Sequence, residues 1–250
     1  MCHDNDSRPP APPGSDNSGE GADIHLNSAD GTQLMAYHAR PKDPNGAAVV
    51  ILPDIRGLHE FYKALARRFA ETGINAVAID YFARQLPDGP RQESHQAMFP
   101  LVGKLVPDEV VSDIKAAVDF VASEGGDASR SVFTVGFCYG GSFSWNQSAL
   151  DARVAGAIGF YGRPDGSRPL MSQMKAPLLV LAAGADMMTT HEDNEQFDVD
   201  LSEAGVEHEL IIYEGAPHAF FDGAGGYDNE CTDAWQRVLS FIASHSGVAA

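Results

Sequence analysis

Ser131-Val132-Phe133-Thr134-Val135-Gly136-Phe137-Cys138-Tyr139-Gly140 is the stretch that decides the fold. An alternating apolar run, Ser131 to Val135, enters a turn flanked by Gly136 and Gly140 and leaves as a segment with helical character reaching Leu150. A strand, a sharp turn and a helix in that order present the turn's central side chain at a strand end, here a cysteine where serine is usual. The glycines are a steric requirement. The backbone passes close to itself in such a turn, and a bulky side chain at Gly136 or Gly140 would block the approach.

Taken alone, a G-x-C-x-G is a weak signal, because buried cysteines are common small hydrophobes and glycines punctuate many loops. Two further residues strengthen it. Asp186 follows the apolar run Leu178-Leu179-Val180-Leu181, and His218 follows Leu210-Ile211-Ile212-Tyr213. Nucleophile, acid and histidine in that chain order match the α/β-hydrolase arrangement. Each polar residue falls at the carboxyl end of a predicted strand, where open α/β sheets hold their ligands.

The flanking sequence supplies the rest of an α/β architecture, a mostly parallel sheet with helices on both faces. Asp23 to Asn27 and Thr32 to Ala39 read as a hairpin turning at Ala29-Asp30-Gly31. Ala47 to Leu52 is a near-continuous apolar run, as in a parallel strand buried on both sides. Leu58 to Thr72 has helical spacing through Phe61, Leu65 and Phe69 and stops at Gly73. Strand-like and helical segments then alternate to the closing helix, expected over Asp233 to Ser244. Residues 1–22, rich in proline, glycine and acids, read as a flexible tail, leaving 23–250 as a single domain. Phe82 to Pro107, long and proline-interrupted, is expected to cross the mouth of the site as a partial lid.

Composition removes several function classes. The chain has 17 Lys plus Arg against 35 Asp plus Glu, a net charge of −18, which disfavours nucleic acid and anionic membrane as partners. No apolar stretch approaches the ~20 residues of a membrane span, and nothing resembles a signal peptide, so a cytoplasmic protein is expected. Three dispersed cysteines, Cys2, Cys138 and Cys231, imply no disulfide framework. No histidine pair has zinc-like spacing with a further ligand, so no metal is expected. His59, His191 and His208 read as solvated side chains.

The chemistry follows from the residue types. A thiol of pKa about 8.5 needs help to react at neutral pH. His218 can act as general base and then as general acid, with Asp186 orienting its ring. A helix N-terminus at Cys138 favours the thiolate. The amide of Tyr139 is one candidate oxyanion donor, and the amide of Ile55, in the loop after the first parallel strand, is the other. Asp54 has two readings here: a second carboxylate able to take the thiol proton, or a partner for Arg56 or a cap for the helix at Leu58.

Pro53-Asp54-Ile55-Arg56-Gly57, Asp80-Tyr81-Phe82-Ala83-Arg84-Gln85, Gly136-Phe137-Cys138-Tyr139-Gly140-Gly141, Gly159-Phe160-Tyr161-Gly162, Asp186 and Pro217-His218-Ala219-Phe220 together resemble the dienelactone hydrolase family, from about residue 23 onward. The resemblance implies a small α/β-hydrolase fold that cleaves lactones or esters without a cofactor, through a triad matched by Cys138, His218 and Asp186. It also implies Arg84 as a contact for a substrate carboxylate, with Arg56, Tyr161 and Phe220 as further candidates for the substrate pocket. Two positions depart from the family pattern. Asp54 stands where the family often has glutamate, and Asp222 stands where it has a second arginine. An acid at position 222 repels an anionic substrate, so neutral esters or lactones are expected to be preferred. The expected partner is such a small molecule, and the expected assembly is a monomer or small homo-oligomer. The competing reading is a non-catalytic protein of the same fold that binds a small ligand or senses oxidants through Cys138.

Overall fold

The computed structural model describes residues 3–14, 20–87, 95–123 and 131–247. Its strands are β1 (Glu20–Asn27), β2 (Gln33–Arg40), β3 (Ala47–Leu52), β4 (Asn75–Ile79), β5 (Ser131–Phe137), β6 (Val154–Phe160), β7 (Leu178–Ala183) and β8 (His208–Tyr213). They form one eight-stranded sheet in the order β1-β2-β4-β3-β5-β6-β7-β8. The hairpin β1–β2 and the β2–β4 pairing are antiparallel, and every other pairing is parallel. The helices are α1 (Glu60–Glu71), α2 (His95–Val102), α3 (Pro107–Ser123), α4 (Tyr139–Leu150), α5 (His191–Glu203) and α6 (Asp228–His245).

The apolar strands are explained by burial on both faces. In β3, Val49 and Ile51 point to the face covered by Phe61, Leu65 and Phe69 of α1 and by Trp235 and Val238 of α6. Ala48, Val50 and Leu52 point to the other face, under Val110, Ile114 and Val118 of α3. Trp145 of α4 and Phe197 of α5 extend that second layer beneath Leu178 and Val180. Fully burying one such side chain is worth roughly 1.5–3 kcal/mol, so a strand with both faces covered has little use for polar residues. The chain leaves β3 toward β4 on one side and later returns to β5 on the other. That reversal opens a crevice at the carboxyl ends of β3 and β5, where parallel sheets bind ligands.

Two expectations change in the described structure. The closing helix begins at Asp228, ahead of its expected start, so Cys231 lies within its buried face. More consequentially, residues 3–14 do not trail away from the domain: His3 and Ser7 are buried against it. Sequence composition misled because this segment is held by hydrogen bonds and a stacked ring as well as by its buried Pro9 and Pro12. Of the expected lid, residues 88–94 lie outside the described residues. Within the described remainder, α2 is anchored on the α3 side through Met98.

Candidate active site

The turn after β5 has the geometry that its glycines predict. Cys138 sits at φ 54°, ψ −113°, immediately before α4, a left-handed conformation that costs a non-glycine residue of order 1–3 kcal/mol. A Cβ on Gly136 would collide with the carbonyl of Gly140, and one on Gly140 would meet the carbonyls of Leu52 and Pro53. The turn is therefore in direct contact with the end of β3. Its position is fixed by Cys138 N donating to Phe160 O at 3.0 Å and Gly141 N donating to Cys138 O at 3.0 Å. Tyr139 opens α4, so its amide is among the helix's first N–H groups, which have no partner within the helix.

Asp186 and His218 come from the loops after β7 and β8. His218 Nδ1 donates to Asp186 Oδ2 at 2.6 Å, and both side chains are almost wholly buried. The other carboxylate oxygen, Asp186 Oδ1, accepts from the Met188 amide at 2.8 Å. With Nδ1 committed as donor, Nε2 is the nitrogen that accepts a proton. Tyr161, at φ 37° after β6, lays its ring 4.8 Å from that of His218. Phe220 is a core side chain, 1% exposed, which backs Tyr161 at 5.8 Å and offers no face of its own to a ligand.

The loop from Pro53 to His59 is rigidly held. Tyr81 Oη donates to Pro53 O, and Asp54 N donates to Tyr62 Oη at 3.0 Å. Asp54 is 1% exposed, and its Oδ1 accepts the Arg56 amide at 2.8 Å. Burial alone would raise its pKa. The His59 imidazole, 3.8 Å from Asp54 Oδ1, outweighs it together with His3 and the Arg56 amide, and holds the carboxyl below its ordinary value. Asp54 Oδ2 is buried without a hydrogen-bond partner. A histidine thus stands beside Asp54 in addition to the Arg56 amide. His59 is 4% exposed with its ring 4.9 Å from Tyr62, which corrects the expectation of a solvated side chain. Asp80 lies beneath the same loop, where a Cβ on Gly57 would strike it. Burial pushes its pKa up to about 6 against the hydrogen bonds from the Phe82 and Leu58 amides.

Arg84 is not brought to this cluster. Its guanidinium makes two bonds to Asp113, at 2.8 and 3.0 Å, and a further contact to Asp30 at 3.0 Å. Asp113 is 0% exposed on α3, so Arg84 neutralises a buried acid and is not available to a substrate carboxylate. The signal was in the sequence: Asp113 sits on the apolar stripe of α3 beside Val110, Ile114 and Ala117, a place that an acid occupies only when paired. Arg56 and Tyr161 are occupied too. Arg56 Nη1 donates to His3 O at 2.6 Å, Nη2 bonds Asn5 Oδ1, and His3 Nε2 bonds Tyr161 Oη at 3.0 Å. Asp222 Oδ1 accepts the Arg8 amide at 2.9 Å. Sequence reasoning missed His3 because nothing in its local pattern marks it.

No helix among the described residues is long and apolar enough to cross a membrane. Among them, no group of three or more His, Cys, Asp and Glu side chains is arranged to hold a metal.

The family model described as the dienelactone hydrolase family matches residues 34–246. A Salmonella typhi protein named "Putative carboxymethylenebutenolidase" is 31% identical over 230 residues, covering 87% of this chain and 85% of its own. The carboxymethylenebutenolidase of Rhodococcus opacus is 29% identical over 258 residues, covering 97% and 96%. Among solved structures, "Putative Dienelactone Hydrolase" from Klebsiella pneumoniae superposes with a TM-score of 0.82 at 30% identity, over 91% of this chain and 99% of that one. Strand order, turn geometry and these likenesses agree on one conclusion: the chain has the α/β-hydrolase fold and belongs to the dienelactone hydrolase family, hydrolases of the ester and lactone type.

Proposed function

We propose that the protein hydrolyses small carboxylic esters or lactones through a cysteinyl thioester, with Cys138 as nucleophile, His218 as general base and acid, and Asp186 as its orienting carboxylate. The observation that carries this reading is the 2.6 Å bond from His218 Nδ1 to Asp186 Oδ2. It supports the tautomer in which Nε2 takes the thiol proton. Cys138 Sγ then attacks the acyl carbon, and the carbonyl electrons move onto oxygen. The amides of Tyr139 and Ile55 stabilise that oxyanion; contact between the Cys138 turn and the end of β3 supports pairing them. His218 returns the proton to the leaving alkoxide, leaving the thioester. Water, deprotonated by the same nitrogen, attacks the thioester carbon and releases the acid and the thiol. Asp54, a buried carboxylate on the same loop as Ile55, is a second acceptor for the thiol proton. The pairing of Arg84 with Asp113 and the acid at position 222 favour a neutral substrate.

A comparison of wild type with Cys138→Ala on p-nitrophenyl acetate and small lactones tests the reading. Loss of at least ~10³-fold in kcat is expected, because members of such a triad act as a unit. Equal turnover by both proteins rejects the assignment.

A further inference from the structure

The anchors of residues 3–13 form a line across the carboxyl ends of the strands. Arg56 follows β3, Tyr161 follows β6, and Asp222 lies just beyond His218. The line continues with Gly223 N donating to Arg8 O at 2.8 Å and Trp235 Nε1 donating to Pro10 O at 3.0 Å. At its inner end His3 is 1% exposed. Its ring stacks on Phe61 at 3.7 Å and 15°, with Tyr62, Phe137 and Tyr161 edge-on around it. Tyr161 is the shared neighbour: it touches His218 on one side and bonds His3 on the other. His3 is therefore one side chain away from the catalytic imidazole. Phe137, the other shared wall, immediately precedes Cys138.

A terminal segment held only by packing would leave its polar groups in water. This one carries a histidine into an aromatic pocket and spends it on a tyrosine hydroxyl of the site. It also takes both terminal guanidinium nitrogens of Arg56, Nη1 by a main-chain carbonyl and Nη2 by Asn5. His3 Nδ1 and Asp54 Oδ2 are both buried without hydrogen-bond partners, which marks polar room in the same pocket.

We infer that residues 3–13 are a built-in strap that sets the acyl specificity of the site. His3 fills the space beside Tyr161, and the strap occupies the terminal N–H donors of Arg56 with neutral oxygens, so short neutral acyl groups are accepted and long or carboxylate-bearing ones are rejected. The inference rests on the hydrolase reading above. With His3 displaced, the space beside Tyr161 opens to a longer acyl chain, and Arg56 is released to pair with a carboxylate.

The test uses the full-length chain and three esters: p-nitrophenyl acetate, p-nitrophenyl hexanoate and mono-p-nitrophenyl glutarate. In His3→Ala, the kcat/KM ratios of hexanoate to acetate and of glutarate to acetate are each expected to rise about tenfold, the scale of a modest change in pocket fit. Adding Arg56→Ala should abolish the glutarate gain and keep the hexanoate gain. His3→Phe, which preserves stack and volume, should keep the wild-type hexanoate ratio. Asn5→Ala, which loosens only Arg56, should raise the glutarate ratio alone, and it carries the test if His3→Ala does not fold. Unchanged ratios in folded variants overturn the strap. If no ester is hydrolysed by any protein, the hydrolase reading fails instead. The strap is then judged by alkylation of Cys138, followed on its own peptide by mass spectrometry. His3→Ala should raise labelling by iodoacetate relative to neutral iodoacetamide, and an unchanged ratio rejects it.

Discussion

His218 Nδ1 stands 2.6 Å from Asp186 Oδ2 across 32 positions of sequence, and neither side chain is more than 4% exposed. A charge-assisted bond of that length does more than hold the ring: it decides which nitrogen is basic. Asp186→Asn keeps the shape but lets the amide donate to Nδ1, which favours the wrong tautomer. The expected result is a fall in kcat of about 10⁴-fold with an intact thermal transition. A loss below tenfold would mean that Asp186 does not orient the base.

The carboxylate of Asp54 depends on His59. Removing the imidazole in His59→Ala leaves a buried acid with little besides the Arg56 amide to oppose desolvation. The cost is expected to be about 1–3 kcal/mol, the scale for leaving a buried polar group without its partner. The sign with pH follows from the direction of the shift. A carboxyl held below its ordinary value stabilises the fold above that value, and this contribution is lost as pH falls through the folded-state pKa. Without His59 that loss should begin at higher pH. Urea titrations of both proteins between neutral and acid pH will show whether the curves converge at the acid end.

Arg84 is expected to behave as a structural residue. Arg84→Ala strands Asp113, which has no exposure, and should destabilise by about 3 kcal/mol. Replacing both, as Arg84→Met with Asp113→Leu, should recover much of that. In neither variant should the ratio of glutarate to acetate turnover change. A selective loss of the anionic ester in Arg84→Lys would return Arg84 to the substrate pocket.

Acid should loosen the strap. Burial pushes the His3 pKa from 6.5 down to about 3; Asp54 and Asp222 pull it upward, and His59 and His218 push it down. A base with a depressed pKa in the docked state docks best when neutral. Docking is therefore complete above the ordinary value of 6.5 and weakens as pH falls from there toward about 3. Histidine proton resonances provide the measurement. Those of His3 should show exchange with an undocked form near pH 5, while Tyr161→Phe, lacking the hydroxyl partner, should show it at higher pH.

Most of the fold was legible because it is written locally. The two-sided burial of β3 appears as an unbroken apolar run, and the turn at Cys138 requires the glycines that flank it. Asp186 and His218 could be placed because each follows such a run. What local pattern does not announce is the partner a polar side chain takes. Arg84 looked like a substrate contact until Asp113 was found 29 positions away. Asp54 reads as a proton acceptor, a partner for Arg56 or a helix cap, and none of these names the His59 imidazole that stands 3.8 Å from it. The opening segment looked like a flexible tail because composition reports the apolar area a segment can bury. It does not report hydrogen-bonding groups waiting for it elsewhere, such as Arg56, Tyr161, Asp222 and Trp235.

The bond from Trp235 to Pro10 joins positions 225 apart, and that separation has a kinetic meaning. Closing so long a loop is entropically slow relative to forming the local units of the sheet. During synthesis residues 3–13 leave the ribosome long before α6 exists to receive them. The turn at Cys138 and the crevice beside β3 can thus form while the strap is still unattached. A newly made molecule would pass through a stage with an open, less selective pocket, and would acquire its final shape only when residues 3–13 reach α6.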